Sequence, residues 1–117
     1  MRELIESDVV FTLDVEQDEC CDVRGNAMVS GDDDADKAVE DAILARLDDG
    51  DVWAWASVCV KATWGGFTGT DYLGGCSYKD EADFTAPGGY YEDMKAAALD
   101  DLNAKVKASH KAMLALS

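Results

Sequence analysis

Asp51-Val52-Trp53-Ala54-Trp55-Ala56-Ser57-Val58-Cys59-Val60-Lys61-Ala62-Thr63, followed by Trp64-Gly65-Gly66-Phe67-Thr68-Gly69, is the stretch that decides the fold. Read with a period of two, it puts Val52, Ala54, Ala56, Val58 and Val60 on one face and Trp53, Trp55, Ser57, Cys59 and Lys61 on the other. A run this apolar predicts a central strand over 51–63 with both faces at least partly covered. Small alanines on the first face let a helix sit close. The two tryptophans either pack under a second helix or stay partly exposed. Gly65 to Gly69 supplies a flexible reversal, and residues 71–78 return as an antiparallel strand interrupted at Gly74-Gly75, a bulge or close-approach site.

Working outward toward the N-terminus, residues 8–16 alternate Val9, Phe11, Leu13 and Val15 against Val10, Thr12, Asp14 and Glu16, the pattern of a half-buried strand. Residues 17–31 carry turn signals and read as a structured loop. A helix is expected from Asp32, with Asp32, Asp33, Asp34 and Asp36 at the end where the helix dipole favours negative charge. Its expected buried stripe is Ala35, Val39, Ile43 and Leu47, supported by Ala38 and Ala42, and Gly50 is placed to end it.

Toward the C-terminus, one helical turn is expected within 79–84, and Pro87-Gly88-Gly89 breaks the chain. A long helix then begins near Tyr90, with Tyr91, Met94, Ala98, Leu102, Val106, Met113 and Leu116 on its apolar side. Glu92 and Asp93 open it and Lys105, Lys107 and Lys111 close it, an order the dipole favours. The expected fold is α+β, β-α-β-β-α: a three-stranded, mainly antiparallel sheet covered by two helices in one domain over 1–117.

With 117 residues, 48% of them apolar, the chain can bury a core without a metal or disulfide staple. Twenty-five acidic against ten basic residues give a formal charge of -15, well beyond the magnitude of roughly 2 to 8 that solubility asks of a small domain. That charge repels nucleic acid and anionic membranes, so neither is an expected direct partner. Its complement is a basic protein surface, divalent cations or high salt. No apolar run reaches the length of a membrane span and the N-terminus lacks a signal core, so a cytoplasmic location is expected. In that reducing setting Cys20, Cys21, Cys59 and Cys76 are expected as free thiols, the last two buried.

No constellation points to catalysis. The only histidine, His110, stands late on the long helix among alanines and lysines, and no serine sits in a nucleophile elbow. Adjacent Cys20 and Cys21 lack the gap that lets two thiolates converge on zinc. Asp32-x-Asp34-x-Asp36 opens like a calcium loop, but Lys37 replaces its glycine and Ile43 its bidentate glutamate. The glycine pairs lack a phosphate-binding lysine and a following helix N-terminus. A binding protein without cofactor or metal is expected rather than an enzyme.

The candidate binding residues are therefore the carboxylates on and beside the first helix: Asp32, Asp33, Asp34, Asp36, Glu40, Asp41, Asp48, Asp49 and Asp51. Duplex DNA carries one charge per about 1.7 Å, so fifteen charges match roughly 25 Å of duplex. A 16-residue helix is about as long, roughly 24 Å. A chain so built can occupy a basic channel that normally holds nucleic acid, with Trp53 or Trp55 as an aromatic anchor if exposed. The alternatives are salt adaptation and a homodimeric accessory protein joined through the long helix or a strand edge.

Arg24-Gly25-Asn26-Ala27, Ser30-Gly31-Asp32-Asp33, Trp53-Ala54-Trp55, Asp71-Tyr72-Leu73-Gly74 and Gly89-Tyr90-Tyr91-Glu92-Asp93-Met94 resemble segments of small acidic proteins of bacteriophages and mobile elements, over much of residues 24–103. In general character the chain is similar to acidic anti-defence proteins, including anti-CRISPR and anti-restriction DNA mimics. The similarity is one of type and carries over no functional residue. It implies, as partner, a host protein or nucleoprotein complex with a basic nucleic-acid-binding surface.

Overall fold

The structure, a computed structural model, describes residues 2–116. Its elements run β1 (Val10–Gln17), α1 (Asp33–Asp48), β2 (Ala56–Trp64), β3 (Phe67–Cys76), α2 (Glu81–Phe84) and α3 (Tyr90–Ala115), with 3-10 turns at Glu6–Asp8 and Val52–Ala54. The sheet is antiparallel in the order β1-β2-β3, so the apolar strand β2 is central and the chain is α+β as expected. A two-residue turn joins β2 to β3, with Gly65 at φ +55° and Gly66 at φ +84°. Two consecutive positive φ values make the kind of turn whose twist matches paired antiparallel strands.

The chain forms two compact units: Met1–Asp14, Cys59–Tyr72 and Pro87–Ser117 in the first, Val15–Val58 and Leu73–Ala86 in the second. In the first, α3 buries Met94, Ala98, Leu102 and Val106. It crosses β3 at Gly69, where a Cβ would stand 2.1 Å from the Ala98 carbonyl oxygen and 2.4 Å from the Leu102 nitrogen. Only a residue without a side chain fits there. The edge of β3 is also dressed by α3. The Thr70 N–H donates to Asp101 at 2.9 Å, and Lys105, itself paired with Asp101 at 3.0 Å, donates to the Thr68 carbonyl at 2.9 Å. Satisfied and charged, this part of the edge is a poor template for another strand.

The N-terminal segment is tied to the same helix. Leu4 N–H donates to the Asn103 side chain at 2.8 Å, and the Asn103 amide returns a bond to the Leu4 carbonyl at 3.0 Å. Beside it, Asp8 accepts two hydrogen bonds from Arg2, at 2.7 and 2.8 Å, and one from the Ile5 N–H at 2.8 Å. The Arg2 hydrogen bonds, then the Ile5 N–H, hold the Asp8 carboxyl down to about 2. A carboxyl lowered on folding adds stability above its unfolded range and loses it as pH falls through its folded value. NMR titration of Asp8 is therefore expected to show a midpoint near 2. In an Arg2→Ala chain that midpoint should rise toward the ordinary aspartate value.

The second unit is organised by α1 and the 3-10 turn before β2. Val23, Ile43, Ala54 and Trp55 form its core, with Ala27, Leu44 and Leu47 packed against them. Two sequence expectations change here. Residues 52–55 are not strand: the Asp51 side chain accepts the Trp53 N–H, the Asp51 carbonyl accepts the Ala54 N–H, and the chain coils before β2 starts at Ala56. The inward face of α1 keeps Ile43 and Leu47 of the expected stripe but not its first half. Ala35, Ala38, Val39 and Ala42 are exposed, while Glu40 and Ile43 are buried and Asp36, Leu44 and Leu47 half-buried. Polar partners supplied by the preceding loop make that inward turn of two carboxylates possible.

Candidate functional site

The two units share the charge very unequally. Val15–Val58 with Leu73–Ala86 holds sixteen carboxylates against four basic side chains, a net of -12; the other unit holds nine against six, a net of -3. The acidic unit contains every one of the nine candidate carboxylates, but the fold uses them differently. Asp32 is the N-cap of α1, its Oδ1 accepting from Asp34 N at 3.1 Å and Ala35 N at 3.2 Å. Asp36 accepts from the Ser30 hydroxyl at 2.6 Å and from the Ser30 N–H. Glu40 is buried, accepting the Gly25 N–H at 2.7 Å and Arg24 at 3.2 Å, and Arg24 also pairs with Asp41. Asp51 caps the 3-10 turn and pairs with Arg46 at 2.7 Å, while Arg46 reaches the Tyr78 carbonyl at 2.6 Å.

These five therefore serve first as struts between α1 and its flanking loops. Of the nine, four carry no ion pair and no side-chain hydrogen bond among the described residues: Asp33 and Asp34 at the start of α1 and Asp48 and Asp49 at its end. All four are exposed. The continuous stripe drawn from the sequence is thus two acidic clusters separated by most of a 16-residue helix, roughly 20 Å. Asp33 and Asp34 stand where the dipole favours them. Asp48 and Asp49 stand at the carbonyl end, where a negative charge opposes the dipole by about 0.3–1 kcal/mol each.

The aromatic candidates are not surface groups. Trp53 and Trp55 are both buried. Trp53 packs in an aromatic cluster with Phe84, ring centroids 5.3 Å apart, and edge-on to Tyr78 at 6.4 Å. Trp55 donates its indole N–H to the Cys21 carbonyl at 2.9 Å. Neither can anchor a partner, because the 3-10 turn directs both into the unit's interior.

Sequence reasoning passed over Asp18, which is buried and accepts from Cys20 N–H at 2.9 Å and Gly75 N–H at 2.6 Å. It pins the loop after β1 to the Gly74-Gly75 segment, the expected close approach, where a Cβ on Gly74 would lie 3.0 Å from the Asp18 carboxylate. A lone aspartate bracketed by Gln17 and Glu19 gives no sequence signal for such a role. Near it lies a hollow of about 350 Å³ lined by Glu16, Asp18, Glu19, Cys20 and Ser57. Another, of about 510 Å³, lies beside the start of α1 and is lined by Arg24, Met28, Val29, Asp33, Asp36 and Lys37. Among the described residues no group of histidine, cysteine and carboxylate side chains is arranged to hold a metal.

The cysteines divide as expected. All four are free thiols, with Cys59 and Cys76 buried and Cys20 and Cys21 exposed. Burial, then the nearby Asp18 charge, pushes the Cys76 thiol up to about 11. A thiol reagent at neutral pH is expected to label Cys20 and Cys21 at once and the other two only on unfolding, counted by mass spectrometry.

No protein-family model, curated protein or solved structure matches this chain. Among the described residues no helix is long and apolar enough to cross a membrane.

Proposed function

We propose that this chain is an acidic binding protein whose second unit occupies a basic, nucleic-acid-holding surface of another protein, in the manner of an anti-defence inhibitor. The observation that carries the reading is the concentration of -12 of the -15 net charge in one unit. Solubility alone gives no reason for that concentration. A localised field steers a basic partner and suppresses acidic ones, and it makes association fast and salt-sensitive. Asp48 and Asp49 add support: they cost local helix stability and hold nothing within the fold, a pattern expected where charge serves a partner. The resemblance in type to phage anti-defence proteins makes a host defence complex the expected target.

Capture from host lysate tests this. A nucleic-acid-binding protein should be retained at low salt, released at high salt and competed away by duplex DNA. The variant Asp48→Asn with Asp49→Asn sharpens the test, because it should raise thermal stability while weakening capture. If it stabilises the chain and capture is unchanged, the acidic surface is not the binding face. Salt adaptation predicts that outcome. A second reading, assembly of the chain with copies of itself, is favoured by the exposed apolar residues at the end of α3.

A further inference from the structure

Cys20 and Cys21 are the two thiols that the fold leaves exposed, and they stand side by side in the loop after β1. The backbone on either side of them is held. The Cys20 N–H donates to Asp18 at 2.9 Å, and buried Asp18 is itself fixed by the Gly75 N–H at 2.6 Å. The Cys21 carbonyl accepts the indole N–H of buried Trp55 at 2.9 Å. One anchor precedes the pair and the other follows it. Between them lie ψ of Cys20 and φ of Cys21, the two dihedrals that a bond between the sulfurs would have to set.

The surroundings of the pair carry one sign of charge. Cys20 opens onto the hollow of about 350 Å³ that Glu16, Asp18, Glu19 and Ser57 also line, and no basic side chain lines it. Asp22 follows directly in sequence. Such a field draws in cationic reagents and repels anionic ones. We propose that Cys20 and Cys21 form a thiol-disulfide exchange site for small, positively charged disulfides. One thiolate attacks a sulfur of the incoming disulfide, making a mixed disulfide and expelling one thiolate. The neighbouring thiolate then attacks the protein sulfur of that mixed disulfide and expels the second. The pair loses two electrons and two protons, and the reagent leaves as two thiols. Adjacent Cα atoms stand about 3.8 Å apart, closer than the roughly 4.4–6.8 Å that disulfides usually span. The resulting ring is strained and readily reduced, as suits a reversible modification. Its closure pulls on both anchors. The bond to the Asp18 carboxylate is charge-assisted, so the neutral bond from Trp55 is the one that yields.

The purified chain treated with cystamine, a cationic disulfide, or with neutral hydroxyethyl disulfide reports on each step by mass spectrometry. Trypsin releases residues 3–24, which contain Cys20 and Cys21 and neither of the other cysteines. That peptide is expected to lose two hydrogens, and millimolar reduced glutathione should restore them. Cystamine should react about tenfold faster at low salt than at high salt, while hydroxyethyl disulfide keeps one rate. Of the three tryptophan indole N–H signals in NMR, that of Trp55 should shift on closure. Cys21→Ser, a change at an exposed position, should stop at the mixed disulfide and leave that signal in place. Two reagent adducts on the peptide with no ring overturn the proposal. So do a cystamine rate independent of salt, a ring that resists glutathione, or a Trp55 signal that closure does not move.

Discussion

Gly69→Ala is expected to unfold the first unit's packing rather than to adjust it. The added methyl would arrive 2.1 Å from the Ala98 carbonyl oxygen, 2.4 Å from the Leu102 nitrogen and 2.7 Å from the Leu102 Cβ. Two of those three atoms are helix backbone, so no side-chain rotation relieves the clash. Either α3 lifts from β3 or the strand bends, and both expose Ala98 and Leu102, which are fully buried. Overpacking of this kind costs roughly 3 kcal/mol or more. Since a domain of this size has only about 5–15 kcal/mol in hand, chemical denaturation should show a large loss. Gly66→Ala is an instructive contrast. It meets no atom within 4 Å, and its cost comes only from the positive φ of +84°, about 1 kcal/mol. Equal losses at the two positions would show that close helix-strand contact does not govern the first.

Glu40→Leu is expected to release the loop between β1 and α1. Glu40 is buried and holds the Gly25 N–H and one arm of Arg24. Leucine keeps the volume but leaves the amide without its acceptor, a loss of about 2–3 kcal/mol for a hydrogen bond to a charged group. Glu40→Gln retains an acceptor oxygen for Gly25 and should cost about 1 kcal/mol, so the pair separates hydrogen bonding from charge. The loop itself supplies the readout. With its strut gone, Arg24 becomes a site for trypsin, and limited proteolysis should cut Glu40→Leu there well before the wild type. Similar cleavage rates in the two chains would place the loop's order elsewhere, in Val23 and Trp55.

Both variants locate what a linear reading of this chain can and cannot see. The alternation in β1, the glycine turn at 65–66, the glycine at 50 and the apolar period of α3 are local signals, and the fold class follows from them. Gly50, at φ +83°, ends α1 where its sequence position indicated. The inward turn of Asp36 and Glu40 depends on Ser30, Gly25 and Arg24, six to sixteen residues away, and no hydrophobic period records such partners. The first half of the expected apolar stripe of α1, Ala35 and Val39, failed for that reason, while Ile43 and Leu47 pack in the core as expected. Trp53 and Trp55 were open in the sequence because alternation assigns a face without saying what covers it. Their burial was decided by Asp51, whose side chain caps a turn in place of a strand. The same use of side chains divided the nine candidate carboxylates, leaving Asp33, Asp34, Asp48 and Asp49 for the solvent.

The two-glycine turn between Trp64 and Phe67 has a consequence for the time course of folding. Hairpins closed by such turns form in about 1–10 μs, because almost no chain has to be searched to bring their strands together. β1 and β2 are in a different position: residues 18–55, with all of α1 among them, must close before the strands can pair. Loop-closure entropy grows slowly with length, yet it is spent before any long-range contact repays it. β2 and β3 are thus expected to be the template already standing when β1 arrives. A mutation that spoils the turn at Gly65 would then slow refolding more than it hastens unfolding.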